Sequence, residues 1–246
     1  IAGVDGKYFT KDDGLHLCSC SPAINAGDSS SGNSGALDIA YEPRIFGNQQ
    51  DIGAYEYQSD SVTSAGTFFV NQAATGSNNG SSWQNAYREA RSAFNNICSD
   101  TIKVAEGSYT ATVAALDTGF LVDRPMVVLG GYPNQGMITE ASRDPGSHPS
   151  IVDGNAGDPS SSSDNSRVLM RISGTMHPVL IDGLVFKNAI GGAMVISLNT
   201  RKITIRNCGF ADNLLHDAVS ISPALQNSNG NVYVTNDTTV FEKCFF

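Results

Sequence analysis

The sequence predicts an all-β protein, a solenoid of the parallel β-helix kind carrying one amphipathic capping helix. Three observations lead there. Short apolar stretches recur through the second half of the chain: IKVAEG (102–107), MVVLGGY (126–132), SIVDGN (150–155), RVLMRIS (167–173), VLIDGLVF (179–186), ITIRNCGF (203–210) and VFEKCFF (240–246). Three of them align position by position, as Ile181/Leu184/Phe186, Ile205/Cys208/Phe210 and Phe241/Cys244/Phe246. The first offset is 24 residues (205 − 181) and the second 36 (241 − 205), one period plus about a dozen inserted residues. A period in the twenties with one supersecondary unit per repeat is the mark of stacked repeats. Finally, the abundance of Gly (25 residues) alongside Ser, Asn, Asp and Thr suits short strands joined by turns. A leucine-rich repeat is disfavoured, because the aligned positions hold Ile, Phe and Cys rather than Leu and an Asn ladder.

Each element follows in order. Residues 15–58 alternate short apolar pieces with Gly- and Asn-containing turns, which is strand-and-turn patterning. Residues 59–66 are polar and read as a linker, and TFFVNQ (67–72) opens a new unit with a strand. Apolar residues then fall at Trp83, Tyr87, Ala90, Phe94 and Ile97, in steps of 4, 3, 4 and 3. That spacing predicts a helix over 83–97, with Ser81 or Ser82 as N-cap. Laid across the N-terminal end of the stacked strands, with Trp83, Tyr87 and Phe94 facing inward, such a helix covers an apolar cross-section and unpaired strand edges.

Bulk properties exclude several functions. The net charge is −9 and Lys plus Arg total only 15, never clustered, which argues against nucleic acid or an anionic membrane as partner. No apolar run approaches a membrane span. The first ten residues lack the basic start and apolar centre of a secretory leader. Both ends look like cuts, so the expectation is a piece of a longer chain whose targeting information lies elsewhere. Five Cys (18, 20, 98, 208, 244) at no metal-like spacing read as structural.

The motifs resemble one family. SPAINAGD (21–28) and DIAYEPRIFGNQQDIGAYEYQ (38–58) resemble the closing segment of β-helix surface proteins of Bacteroidota, a "SPAIDAGD … D-x-x-G-x-PR … DIGAYE" run. FFVNQAATGSNNGSSWQNAYREA (68–90) resembles the opening of their next unit, followed by IKVAEGSYT (102–110), GGYPN (130–134), VDGN (152–155) and IDGLVF (181–186). One departure is Tyr41-Glu42, where that family has Gly-Asn. The resemblance implies a right-handed, pectate-lyase-like β-helix, secretion, and anchoring at the cell surface. It implies three parts: 1–58 closing a preceding β-helix unit, 59–66 a linker, and 67–246 the cap and first coils of a second unit. Residues 1–58 hold too few apolar side chains for an independent core, so this segment is expected to pack on upstream coils of a longer protein.

Candidate sites are sparse. Asp153, Asp158 and Asp164 lie in a Gly/Ser/Asn-rich loop with oxygens suited to a hard cation such as Ca²⁺, at no EF-hand spacing. No other cofactor is expected. Arg206 falls 24 residues after Asp182, which predicts a stacked ion pair, with Lys202, Arg171, Arg201, His216 and Asp217 nearby. His16, His148 and His177 read as turn residues. Cys208 and Cys244 share one aligned position, where thiols stack as an inward ladder or pair. Ser61, Thr101 and Thr238 sit in Asp-Ser/Thr sequences resembling O-glycosylation sites on proteins exported by Bacteroidota. The Asn-Thr-Asp, Gly-His-Gly and Arg-Ile-Lys signatures of polygalacturonase-like hydrolases are absent. The expected function is therefore a non-catalytic structural or adhesion module, partnered by the rest of its own chain and by surface polysaccharide or surface proteins. The alternative is a carbohydrate-active enzyme or carbohydrate-binding module on the same fold.

Overall fold

The chain is built from parallel β-sheets. The computed structural model describes residues 17, 19–28, 35–59, 66–110, 119–155, 157–158, 160–173, 178–197, 202–214, 232–234 and 239–246. It divides into two compact units, Ile1–Gly66 and Thr67–Phe246.

In the second unit the strands are β1 (Gly66–Val70), β2 (Ser99–Ala105), β3 (Gly107–Thr110), β4 (Phe120–Val122), β5 (Met126–Tyr132), β6 (Ser150–Asp153) and β7 (Met170–Ile172). They continue as β8 (Val179–Asp182), β9 (Leu184–Lys187), β10 (Met194–Ile196), β11 (Ile203–Arg206), β12 (Gly209–Ala211), β13 (Val232–Val234) and β14 (Thr239–Glu242). One sheet runs β1-β2-β5-β8-β11-β14, a second β13-β10-β7-β4, and a third β12-β9-β6-β3. From β2 onward the chain visits these sheets in fixed rotation, so every third strand returns to the same sheet beside its predecessor. Each pairing from β2 to β14 is parallel.

The register explains the recurrence in the sequence. Ile181 pairs with Ile205 and Ile205 with Phe241, while Phe186 pairs with Phe210. Elsewhere the step varies: Met126 pairs with Val179, 53 residues on (179 − 126), because the intervening loops are longer. Pairing therefore preserves which face each residue presents, not a constant length. Ile181, Leu184, Phe186, Ile205, Cys208 and Phe210 are all buried, as the inward reading requires. Phe186, Phe210 and Phe246 stack with ring centroids 5.3 and 5.1 Å apart.

Two of the apolar stretches each fold as a pair of strands rather than one. VLIDGLVF breaks at Gly183 and ITIRNCGF after Arg206, and the corner that follows β14 is made in the same way. Gly183, Asn207 and Lys243 occupy the same aligned position and all have left-handed backbone (φ 78°, 50° and 52°). A second aligned corner uses Asn188 and Asp212 (φ 63° and 53°). Gly, Asn and Asp are the residues that enter this region most cheaply. Lys243 enters it without that advantage.

The expected helix is much shorter. Helix α1 spans only Ala90–Asn95, with Glu89 at its N-cap and no side-chain cap. Residues 71–89 spend their backbone groups differently. Gly76 N–H donates to Gln84 O, Gly80 N–H to Asn85 O, Tyr87 N–H to Phe69 O, and Asn71 N–H to Tyr87 O. The Asn85 and Asn78 side chains accept from Ser77 N–H and Arg88 N–H, competing with helical i→i−4 bonding. The 4-3-4-3 spacing thus serves two purposes. Ala90, Ala93 and Phe94 are buried against β2 and β4, with Phe94 stacked on Phe120 at 4.5 Å. Trp83 and Tyr87 are only half-buried: Tyr87 packs against the core beside Phe68, and Trp83 packs against Phe69 and Tyr132. Arg124 closes the helix, donating to Phe94 O and Asn96 O and, through Nε, to Ser99 O.

Among the described residues of the first unit few apolar side chains are buried, Tyr55 foremost, while three carboxylates are. Asp38 accepts from Ala40, Glu42 and Glu56 N–H. Asp51 accepts from Asn25 and Tyr57 N–H. Glu56 accepts from Phe46 and Asp51 N–H and from the Arg44 guanidinium, which also donates to Asp51 O and Gly53 O. Charged acceptors make stronger hydrogen bonds than neutral ones, and here they organise loops that have little apolar surface to bury. The Asp, Arg and Glu of the motifs at 38–44 and 51–56 are these four residues.

Two substitutions test this account. Ile181→Ala should cost about 3 kcal/mol in denaturant melts, since the side chain is fully buried. Tyr41 is 81% exposed and left-handed (φ 63°), at the position where the resembled motif has glycine. Tyr41→Gly should therefore raise the stability of the first unit by about 1 kcal/mol.

Candidate functional site

Among the described residues a dense cluster of charge lies where the strands of the six-stranded sheet end. Parallel register sets Leu129 on β5 beside Asp182 on β8, Asp182 beside Arg206 on β11, and Arg206 beside Glu242 on β14. The Asp182 side chain is 1% exposed. Its Oδ2 accepts from Arg206 Nε (3.0 Å) and a terminal guanidinium nitrogen (2.6 Å). Its Oδ1 accepts from Asn207 Nδ2 (2.8 Å) and lies 2.9 Å from the Arg143 guanidinium. The ion pair anticipated from the 24-residue offset is therefore present, with Arg143 as a second cation. Arg143 comes from the loop after β5 and also donates to Gly130 O and Asp182 O.

Burial alone raises the Asp182 pKa, but the bonds from Asn207, Arg143 and Arg206 outweigh it, so the carboxyl is held below its ordinary value. Arg206 is raised in turn by its bond to Asp182. Next to this pair, Lys103 on β2 donates to Glu140, which also accepts from the Tyr132 hydroxyl at 2.8 Å. The bond from Lys103 is the main reason Glu140 sits low. Burial, then the Glu140 carboxylate, push the Tyr132 hydroxyl up. Lys103 and Arg143 both lie about 6.0 Å from the Tyr132 ring centroid, a cation–π arrangement.

This arrangement does little chemistry on its own. Asp182 receives four donors on two oxygens and is ionised at neutral pH, which leaves it poorly placed to take a proton. Tyr132 stays protonated and donates to Glu140. The cluster works as an electrostatic clamp binding the loop at 140–143 to three strands.

A second pair lies apart from it. His148 Nδ1 and Glu106 Oε2 are 3.0 Å apart, with side chains 31% and 29% exposed. Glu106 also accepts from Asn134 N–H and is held low chiefly by its bond to His148. The nearby Tyr109 hydroxyl donates to Ala105 O and is raised by burial, so it supplies no ready nucleophile. His148 closes the turn at 144–148, with its N–H on Asp144 O, as a turn residue should.

Of the cation-loop residues, Asp153 ends strand β6 and is tied to its neighbours in the sheet, while Asp158 and Asp164 are drawn into local turns. Asp153 accepts from Asn155 N–H, Asn188 Nδ2 and Ser108 Oγ and faces Lys187 at 3.8 Å. Asp158 accepts from Ser160 N–H and Oγ, and Asp164 from Asp158 N–H. Among the described residues no group of three His, Cys, Asp or Glu gathers in a metal-holding arrangement. Buried Asp164 Oδ1 and Asn165 Oδ1 have no hydrogen-bond partner. Thr101 is a half-buried residue of β2 paired with Val127. Ser61, Thr238, His16, His177, Arg201, His216 and Asp217 lie outside the described residues.

Lys103, Tyr132, Glu140 and Arg143 did not stand out in the sequence, because only Asp182 and Arg206 carry the repeat offset. Compared with protein-family models, curated proteins and solved structures, the chain matches none.

Asp182→Asn leaves two guanidinium groups around a neutral amide and should cost about 3 kcal/mol. Because the folded pKa of Asp182 is depressed, its contribution is full above the unfolded carboxyl pKa of about 3.9 and fades as pH falls below it. The gap between wild type and Asp182→Asn in denaturant melts should thus be wide at neutral pH and shrink in acid.

Proposed function

We propose that the chain is a right-handed parallel β-helix module of an exported protein, acting as a rigid, non-catalytic structural or adhesion element at the cell surface. The observation that carries this reading is the fixed rotation of the strands through three in-register parallel sheets. Such stacking produces a stiff body whose length grows with each added circuit, and its loops can vary without disturbing the core. The saturated clamp around Asp182 supports a structural role, since its charged groups bond to one another and to backbone. Cys98 is disulfide-bonded, which fits an oxidising compartment outside the cytosol. The motif order, closing segment before opening segment, supports membership in a larger protein with more than one such unit.

A carbohydrate-active role has one observation on its side: Lys103, Arg143, Asp182 and Arg206 converge at one sheet. A uronate-bearing polysaccharide is the substrate class such cations would meet.

Two measurements separate these readings. Protease shaving of intact producing cells should release peptides from 67–246; recovery only after lysis would sink the surface assignment. Incubated with polygalacturonate and with neutral glycans, the purified chain should generate neither unsaturated uronate absorbance nor new reducing ends. Turnover that disappears in Arg143→Ala would establish the enzyme instead.

A further inference from the structure

We propose that Cys208 and Cys244 are a redox pair that closes a disulfide between neighbouring circuits of the second unit. Both thiols are free in the structure. Pairing runs on either side of them: Arg206 aligns with Glu242 before the two cysteines, and Gly209 bridges Phe245 after them. Asn207 N–H donates to Glu242 O, Phe245 N–H to Cys208 O, and Phe210 N–H to Phe245 O, each at 2.9 Å. Cys208 and Cys244 therefore stand opposite one another across adjacent parallel segments.

Their side chains also point alike. Each follows a left-handed residue, Asn207 (φ 50°) or Lys243 (φ 52°), so both corners turn the same way. Each thiol donates to a carbonyl of the preceding circuit, Cys208 to Ile181 O at 3.7 Å and Cys244 to Ile205 O at 3.4 Å. Neighbouring strands lie about 4.8 Å apart, inside the roughly 4.4–6.8 Å Cα separation that disulfides span. Closing the bond requires only that one thiol turn away from its carbonyl acceptor. The aligned position one circuit earlier is Leu184, which confines the pair to these two residues.

The two thiols are unequal. Cys208 is fully buried, and burial pushes its pKa up to about 12. Cys244 is only half-buried, so solvent reaches it first, and burial raises its thiol pKa as well. The oxidant is a low-molecular-weight disulfide. The Cys244 thiolate attacks one of its sulfurs, the small S–S bond breaks, and one small thiolate leaves and takes up a proton. Cys208 then gives up its proton and attacks the Cys244 sulfur of the mixed disulfide, expelling the second small thiol. Two protein thiols lose two electrons in all, and one small disulfide becomes two thiols. The product covalently fastens the corner after β14 to the corner after β11.

The test uses the whole chain, exposed to oxidised glutathione, quenched in acid, alkylated and digested with trypsin. Cleavage after Arg206 and Lys243 separates peptide 207–243 from Cys244-Phe245-Phe246. The expected product is that tripeptide disulfide-linked to 207–243, with alkylation lost at both cysteines. Cys208→Ser should stop at a glutathione adduct on Cys244, and Cys244→Ser should leave Cys208 alkylatable after denaturation. Hydrogen exchange at Thr239–Glu242 should slow on oxidation of the wild type and in neither variant. A lasting glutathione adduct on Cys244 with Cys208 unreacted in the wild type, or links only between separate chains, would overturn the proposal.

Discussion

Everything in the second unit depends on in-register parallel pairing between successive circuits. A parallel ladder satisfies each strand's backbone groups only when it lies beside another strand of the same direction, and the next such strand arrives one circuit later. Register then dictates side-chain identity, because a slip by one residue would send a whole inward set to solvent. The consequence is visible at each layer: Ile181 over Ile205, Phe186 over Phe210, Met170 over Met194. The corners obey the same constraint, since aligned strands can stay aligned only if the chain bends at equivalent places. That is why Gly183, Asn207 and Lys243 share a left-handed conformation although their side chains have nothing in common.

Charge along the six-stranded sheet inherits this order. Asp182 and Arg206 meet because their strands are neighbours in register, and the pair becomes a clamp because Arg143 reaches in from a loop. Burying Asp182 is tolerable only with its four donors in place, and one of them, Arg143, thereby ties the loop at 140–143 to the sheet. The described turns of the first unit use the same chemistry. Asp38, Asp51 and Glu56 gather backbone N–H groups from several turns, and Arg44 bridges two of those turns. Loops poor in apolar side chains thereby acquire a defined shape from charge-assisted hydrogen bonds.

The helical stretch shows where pattern and structure part. The spacing of Trp83, Tyr87, Ala90, Phe94 and Ile97 matches one face of a helix, yet only Ala90–Asn95 is helical. Periodicity reports which side chains want burial; it does not say which backbone partners compete for the N–H groups. Asn78, Asn79 and Asn85, with nearby glycines, offer local acceptors and turns that outcompete helix nucleation over a short segment. Trp83 still finds aromatic neighbours, in Phe69 and Tyr132 on the strands.

The sequence by itself determined the β-rich class, the position of most strands, the inward residues and the Asp182–Arg206 pair. All of these follow from periodic burial and from the 24-residue offset between two of the repeats, which a linear string records. Only the tertiary structure decided the rest. It brought Lys103, Tyr132, Glu140 and Arg143 into one cluster, set Glu106 against His148, and buried Asp38, Asp51 and Glu56 of the first unit. These contacts join residues with no common period, separated by loops of irregular length. Their partners are chosen by where three-dimensional packing leaves a buried charge in need of a donor, and no local pattern encodes that choice.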